Sequence, residues 1–175
     1  MALTLRPTTL ADLPHIMTWV NDREVMQYFA MRQTQISEDE ERRYLEGILA
    51  SKNDRLFSVF DGDAYVGQCS VNQIYWPARN GRVFLVVQKS MQHGGRGAEM
   101  LKLLIERAFG ELDLHKLWLI VRRSNLKAQA MYLRAGFEFE GVLRDEYCVN
   151  GQYYDMVRMG IVRATSSGES QSSSS

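Results

Sequence analysis

Apolar and polar positions change period several times along the chain, and each change predicts an element. "LTLRP", Leu3 to Pro7, reads as a first strand closed by Pro7. Thr9 and Asp12 have capping-box spacing. Behind them Leu13, Ile16, Met17 and Val20 recur at helical period, so a helix is expected until Asn21-Asp22 breaks it. Val25 to Phe29 reads as a short helical turn. Ser37 and Glu40 form a second capping box, followed by one apolar face of Tyr44, Leu45, Ile48 and Leu49. The period then shortens. "RLFSVF" and "AYVGQCSVNQIYW" read as strands about the turn Asp61-Gly62-Asp63, and "RVFLVV" as a strand buried on both faces. The next helix should turn Ala98, Leu101, Leu104, Ile105, Ala108 and Phe109 inward. "KLWLIV", Lys116 to Val121, reads as a compact buried strand. A short helix over Leu126 to Ala135 follows, capped by Ser124 or Asn125 and ended by Gly136. "FEFEGVLRDEYCV" and "QYYDMVRMGIV" flank Asn150-Gly151, a type I′ hairpin signal. The order β-α-α-β-β-β-α-β-α-β-β predicts an α+β fold, with antiparallel meanders and one strand-helix-strand crossover.

Composition narrows the class. A length of 175 residues suits one domain, expected over 1–163, with a Ser-rich tail over 164–175 that is expected to be disordered. The formal net charge is zero and the basic residues are dispersed among acids, so no nucleic-acid partner is expected. No stretch has the length of a membrane span, and "MALTLRPTTL" lacks a signal-peptide layout, so no membrane partner and a cytoplasmic location are expected. Cys69 and Cys148 are far apart and are read as buried thiols in a reducing compartment. His15, His93 and His115 have no metal-ligand spacing, so no metal is expected.

Two segments carry candidate chemistry. "QKSMQHGGRGAEMLKLLIERAF", Gln88 to Phe109, places Gly94, Gly95 and Gly97 where a helix begins. A P-loop would need Lys-Ser or Lys-Thr after the last glycine, and here Ala98-Glu99 follows. A dinucleotide fingerprint would need a third small residue and an acid ending the next strand. Here Met100 and Val121-Arg122-Arg123 stand there. A plain turn and an anion cradle both remain open. In "RRSNLKAQAMYLRAGFEFEG", Asn125 and Tyr132 are seven apart, nearly two helical turns, and so share one face.

Together these segments resemble the GNAT acyltransferase superfamily. Gln92-His93-Gly94-Gly95-Arg96-Gly97 looks like its Q/R-x-x-G-x-G/A pyrophosphate loop, and an Asn, a Tyr and a Gly-Phe follow in the family's order. The resemblance runs from Leu5 to Met159. "LHKLWLIV", "LRAGFEFEG" and "VNGQYYDMVRM" are most similar to the RimJ/RimL and spermidine N-acetyltransferase branch. It implies a mixed, mostly antiparallel twisted sheet with flanking helices and a V-shaped splay between strands at 82–87 and 116–121. It further implies transfer of acetyl from acetyl-CoA to a primary amine by direct attack through a tetrahedral intermediate. Leu85, Val86 and Val87 would then pair with pantetheine, Gln92 to Ala98 would cradle the pyrophosphate, Asn125 would hold the pantetheine arm, and Tyr132 would be the general acid. Asn125 as a plain cap, Tyr132 as a core residue and Arg96 as a solvated charge stay open beside these roles.

Many relatives carry a Glu where this chain has Val83, so no general base is assigned, with Asn72, Tyr75 and Asp145 as candidates. Trp19, Asn21, Asp22, Tyr28, Arg32 and Tyr75 are the candidates for the acceptor side. The spermidine enzymes are acidic after the first helix, whereas "YFAMRQTQ" has Arg32 and no acid, which speaks against a polyamine. "MTWVNDREVMQYF" resembles acetyltransferases acting on amino-sugar nucleotides. The expected acceptor is therefore a small-molecule amine of amino-sugar or polyamine type. The alternatives are a protein N-terminus, or an acyl-CoA-binding sensor without chemistry. A homo-oligomer is expected, built on the edge of the last hairpin.

Overall fold

The computed structural model of the chain describes residues 2–29 and 34–165. Its strands are β1 (Leu3–Pro7), β2 (Arg55–Asp61), β3 (Ala64–Tyr75), β4 (Asn80–Val87), β5 (Lys116–Arg122), β6 (Glu138–Val149) and β7 (Gln152–Val162). They form one seven-stranded sheet in the order β1-β2-β3-β4-β5-β7-β6. Every neighbouring pair is antiparallel except β4 and β5, the pair joined by a helical crossover. The helices are α1 (Leu13–Met17), α2 (Arg23–Met26), α3 (Glu38–Leu49), α4 (Arg96–Gly110) and α5 (Leu126–Arg134), with 3₁₀ turns at Leu10–Asp12 and Lys89–Met91. The family's α+β fold is therefore present.

The decisive irregularity lies at the sheet centre. β4 and β5 pair only through Asn80, Gly81 and Arg82 against Lys116, Leu117 and Trp118. From Val83 onward β4 stays on β3 and leaves β5, which opens the expected splay. The free end of β4 lies close on β3. A Cβ added to Gly67 would stand 2.1 Å from the Val86 carbonyl oxygen, so only glycine fits there.

Two cores hold the sheet. On one face α4 buries Met100, Leu101, Leu104 and Ala108 against Val59, Val71, Val83, Leu117 and Leu119. Full burial stabilises each large aliphatic side chain by about 2 kcal/mol. On the other face Leu13, Ile16 and Leu45 pack with Leu56, Tyr65 and Val86. Asp12 is fully buried beneath β1. Its carboxylate accepts from Arg6 Nη2 (2.6 Å), the Thr9 N–H (2.9 Å) and Ser58 Oγ (3.0 Å), which satisfies a charge that would otherwise be costly to bury.

Ser37 and Glu40 exchange the two bonds of a capping box. Asn150 and Gly151 have φ of +53° and +75°, as a type I′ hairpin requires. Several expectations need correction. The helix expected after Thr9 is a 3₁₀ turn and five residues of α-helix. Thr18 Oγ1 donates to the His15 carbonyl at 2.6 Å and competes with continuation of the helix. In α4 Ala98 is exposed and Met100 is inside, because Met100, Leu104 and Ala108 share one row at four-residue spacing. In α3 the buried row is Glu41 and Leu45, and Tyr44 is 60% exposed. β4 is not buried on both faces. Phe84, Leu85 and Val87 are half-buried because β5 departs. Likewise Trp118 and Ile120 on β5 are half-buried. Cys69 is buried as expected, whereas Cys148 is exposed. Residues of the Ser-rich tail from 166 on lie outside the described residues. No helix among the described residues is long and apolar enough to cross a membrane.

Candidate active site

The splay gives the sheet two working sides. On the α4 side, Gly94 and Gly95 have φ of +71° and +73°, and Gly95 is the N-cap of α4. Ser37 and Asn125 cap α3 and α5 with side chains, but no side chain caps α4. A Cβ on Gly95 would meet nothing within 4 Å. The first N–H groups of this fifteen-residue helix have no hydrogen-bond acceptor among the described residues, and the positive end of its dipole lies behind them. That is the chemistry a pyrophosphate needs. Gln92 Nε2 donates to the Val87 carbonyl (3.0 Å) and ties this loop to the free end of β4. Arg96 folds back instead of facing outward: it donates to the His93 carbonyl (3.1 Å) and to Asp61 (3.1 Å) at the end of β2.

Helix α5 closes this side. A Cβ on Gly97 would lie 3.4 Å from Met131 Sδ and 3.8 Å from Val87 Cγ2. The start of α4, the end of β4 and α5 therefore converge. Asn125 Oδ1 accepts from the Ala128 N–H (3.2 Å), so it caps α5, while its amide N–H₂ keeps its donors. Tyr132 packs edge-to-face on Phe137 at 5.7 Å between ring centres. Its hydroxyl makes no hydrogen bond among the described residues, and burial pushes it up to about 12.

The opposite side of the sheet carries a cavity of about 860 Å³. Phe84 of β4 lines it, as do Gln68, Ser70 and Asn72 of β3. Trp19 lines it too and is held by its indole N–H on Tyr65 Oη (3.1 Å). Asn21 lines it and clamps the backbone of Ile36 with bonds of 2.9 and 2.8 Å. Three carboxylates reach this cavity: Glu40, Glu41 and Asp54. Burial raises Glu41 above its ordinary value. Burial also opposes ionisation of Asp54, but bonds from Ser51, Asn72 and the Gln73 N–H outweigh it and hold this carboxyl below the usual range. Gln68 Nε2 is buried with no partner.

The remaining expected site residues fall elsewhere. Asp22 does not line the cavity; its carboxylate accepts from the Glu24 and Val25 N–H groups to cap α2. Tyr28 is outside the cavity lining, with its ring 5.9 Å from the Arg122 guanidinium. Tyr75 is 60% exposed beyond the cavity, and Asp145 sits in an exposed bulge of β6. Val83 faces the α4 core, away from the cavity. Arg32 lies outside the described residues. Glu40, Glu41, Asp54, Gln68, Ser70, Arg82, Phe84 and Tyr147 were not anticipated. The alternating polar positions Gln68, Ser70 and Asn72 on an otherwise buried strand were the available signal.

Residues 2–138 match the model of the acetyltransferase (GNAT) domain family. The chain belongs to the GNAT family. It is an acetyl-CoA-dependent N-acetyltransferase. Spermidine N(1)-acetyltransferase of Escherichia coli strain K12 is 29% identical over 160 residues, 91% of this chain and 86% of that protein. The crystal structure of spermidine N-acetyltransferase from Vibrio cholerae in complex with CoA and spermine matches this GNAT chain with a TM-score of 0.86. Its identity is 29%, over 91% of this chain and 95% of that one. Aminoglycoside N(6')-acetyltransferase type 1 of Klebsiella pneumoniae is 24% identical over 155 residues, covering 81% and 77%.

Proposed function

We propose that the acetyl acceptor of this GNAT enzyme is a polyamine, bound in the cavity opposite α4. The carrying observation is the convergence of Glu40, Glu41 and Asp54 on a cavity whose floor includes β4 at the splay. Carboxylates in a half-enclosed site favour an acceptor with several positive charges. The likeness to spermidine enzymes supports the same reading. It supersedes the argument from "YFAMRQTQ", because the acids come from α3 and the residue before β2 rather than from that segment.

The donor side follows from the residues that fit acetyl-CoA. N–H groups at the start of α4, freed by Gly95, would hold the pyrophosphate, with Gln92 fastening the loop. Backbone groups of the Leu85–Val87 end of β4 that face the gap left by β5 would hold pantetheine, beside the Val87 carbonyl already taken by Gln92, and the Asn125 amide would donate to it. Bound acetyl-CoA supplies the thioester carbonyl that the amine attacks and the thiolate that leaves. Tyr132 is protonated at neutral pH as any phenol is, burial raises its pKa further, and it donates that proton to the departing sulfur. Trp19 and Asn21 shape the cavity wall, Asn21 by fixing Ile36.

The direct test is thiol release from acetyl-CoA with spermidine, spermine, an amino sugar and a free peptide N-terminus. Polyamines should be preferred by at least tenfold in kcat/KM, and a preference for the peptide or the sugar would refute the reading. Residues 1–163 form the one catalytic domain in this proposal. Acetyl-CoA use and two free thiols favour the cytoplasm. The open edge of β6 favours a homo-oligomer, measurable by light scattering.

A further inference from the structure

One charge in the cavity differs from the rest. Arg82 interrupts an apolar strand and lines the cavity beside Phe84. It is the last β4 residue paired with β5, opposite Trp118, so it stands at the apex of the splay. Its Nη2 donates to Tyr147 Oη at 3.0 Å, and its guanidinium lies 5.8 Å from the Trp118 ring centre. Across that ring Arg158 is matched by Glu140, which also pairs with Lys116. Arg82 has no such match: no carboxylate among the described residues lies within ion-pair distance. The other cavity cation among the described residues, Arg23, is exposed on α2 at the rim.

The cavity carboxylates stand on its other wall. Glu40 and Glu41 are on α3, and Asp54 precedes β2 and bonds Asn72 on β3. Asn72 is the register partner of Arg82, yet the Arg82 side chain reaches the opposite way, toward β6. Asp54 reaches the β3 side of the lining through Asn72, and Arg82 reaches the β6 side through Tyr147, so the two signs of charge lie toward opposite sides. The cavity is bipolar.

We propose that Arg82 is a specificity-determining residue that sets the spacing in the acceptor between the attacking nitrogen and its nearest ammonium group. This rests on the polyamine reading. The attacking nitrogen must reach the splay, and it must be neutral to attack. A guanidinium there cannot be discharged by titration. It favours the neutral form of that nitrogen and repels a second ammonium close by, while Glu41 and Asp54 attract that ammonium from across the cavity. A short spacer leaves the second charge beside Arg82. A longer one delivers it to the carboxylates.

The experiment is kcat/KM, with saturating acetyl-CoA, across linear terminal diamines from ethane-1,2-diamine to octane-1,8-diamine. Wild type, Arg82→Lys and Arg82→Gln are compared. The wild type should gain about tenfold or more from the shortest to the longer diamines, as like-charge contact is relieved. Arg82→Lys keeps the charge and should keep this dependence, whereas Arg82→Gln should flatten it. Tyr147→Phe, which leaves the charge in place, should keep the dependence on diamine length whatever it does to the absolute rate. An unchanged length dependence in Arg82→Gln overturns the inference alone. So does wild-type preference for an amine bearing a nearby carboxylate that Arg82→Gln abolishes, since Arg82 would then be an anion site. No wild-type turnover of any diamine while spermidine is acetylated overturns this inference alone, and no turnover of either diamines or spermidine removes the polyamine reading with it.

Discussion

Tyr132 carries an acid proton in a place where little competes for it. Its hydroxyl has no partner among the described residues, and burial pushes its pKa up to about 12. Tyr132→Phe should lower kcat by about 10²–10⁴-fold with a small change in the KM for acetyl-CoA. Because the phenol stays protonated well above neutrality, wild-type kcat should rise as the acceptor loses its proton and show no decline up to about pH 10. An alkaline limb with a midpoint below pH 9 would assign the acid to another group. Glu41 shows the opposite tension. Folding buries it and raises its pKa, so ionisation is disfavoured in the folded state. A raised pKa contributes stability at low pH that is lost as pH rises through the folded value. Glu41→Gln should therefore melt at least as high as wild type at pH 7, lose that advantage in acid, and raise the KM for spermidine. A lower Tm at pH 7 would show that Glu41 serves the fold rather than the acceptor.

Among the elements, α4 depends on one residue to begin as it does. Gly95 is left-handed with open space around it, so Gly95→Ala would clash with nothing but would be strained by about 1–2 kcal/mol. The expected result is a lower Tm and a several-fold higher KM for acetyl-CoA at unchanged KM for the amine. Equal effects on both substrates would count against a cradle at this loop. Most elements were readable from local rules. Ser37 with Glu40, Asn125 as a cap, and Asn150-Gly151 all act through neighbours in sequence, so their spacing announces them. What failed was what depends on distant partners. The row of α4 that faces the sheet is chosen by Val83 and Leu117 packing, which places Met100 inside and Ala98 outside. Likewise the first helix stops early because Thr18 bonds back to His15.

At the scale of the whole molecule, the two motifs proposed for the donor side were visible in the sequence, and the lining of the proposed acceptor cavity was not. Gly94 to Gly97, Asn125 and Tyr132 lie in two compact motifs, and the crossover brings them together. The cavity instead draws single residues from α3, the residue before β2, β3, β4 and β6, separated by more than a hundred positions. A buried Glu41 on a helix looks like a solvated one until the sheet is laid beneath it, and Arg82 in "GRVFLVV" looks like an interruption until β5 is seen to leave.

The parting of β4 from β5 has a further consequence, in time rather than in space. A strand bonded on one side only should open more often than the same strand in a complete sheet. Amide hydrogens of 83–87 that point toward the gap should exchange with solvent within minutes, while those of β5 facing β7 persist far longer. Adding coenzyme A should slow these particular amides and raise the melting temperature with ligand concentration. Uniform protection across β4 in the free protein would mean that the gap is closed by something other than the donor. In this chain the sheet is finished by what it binds.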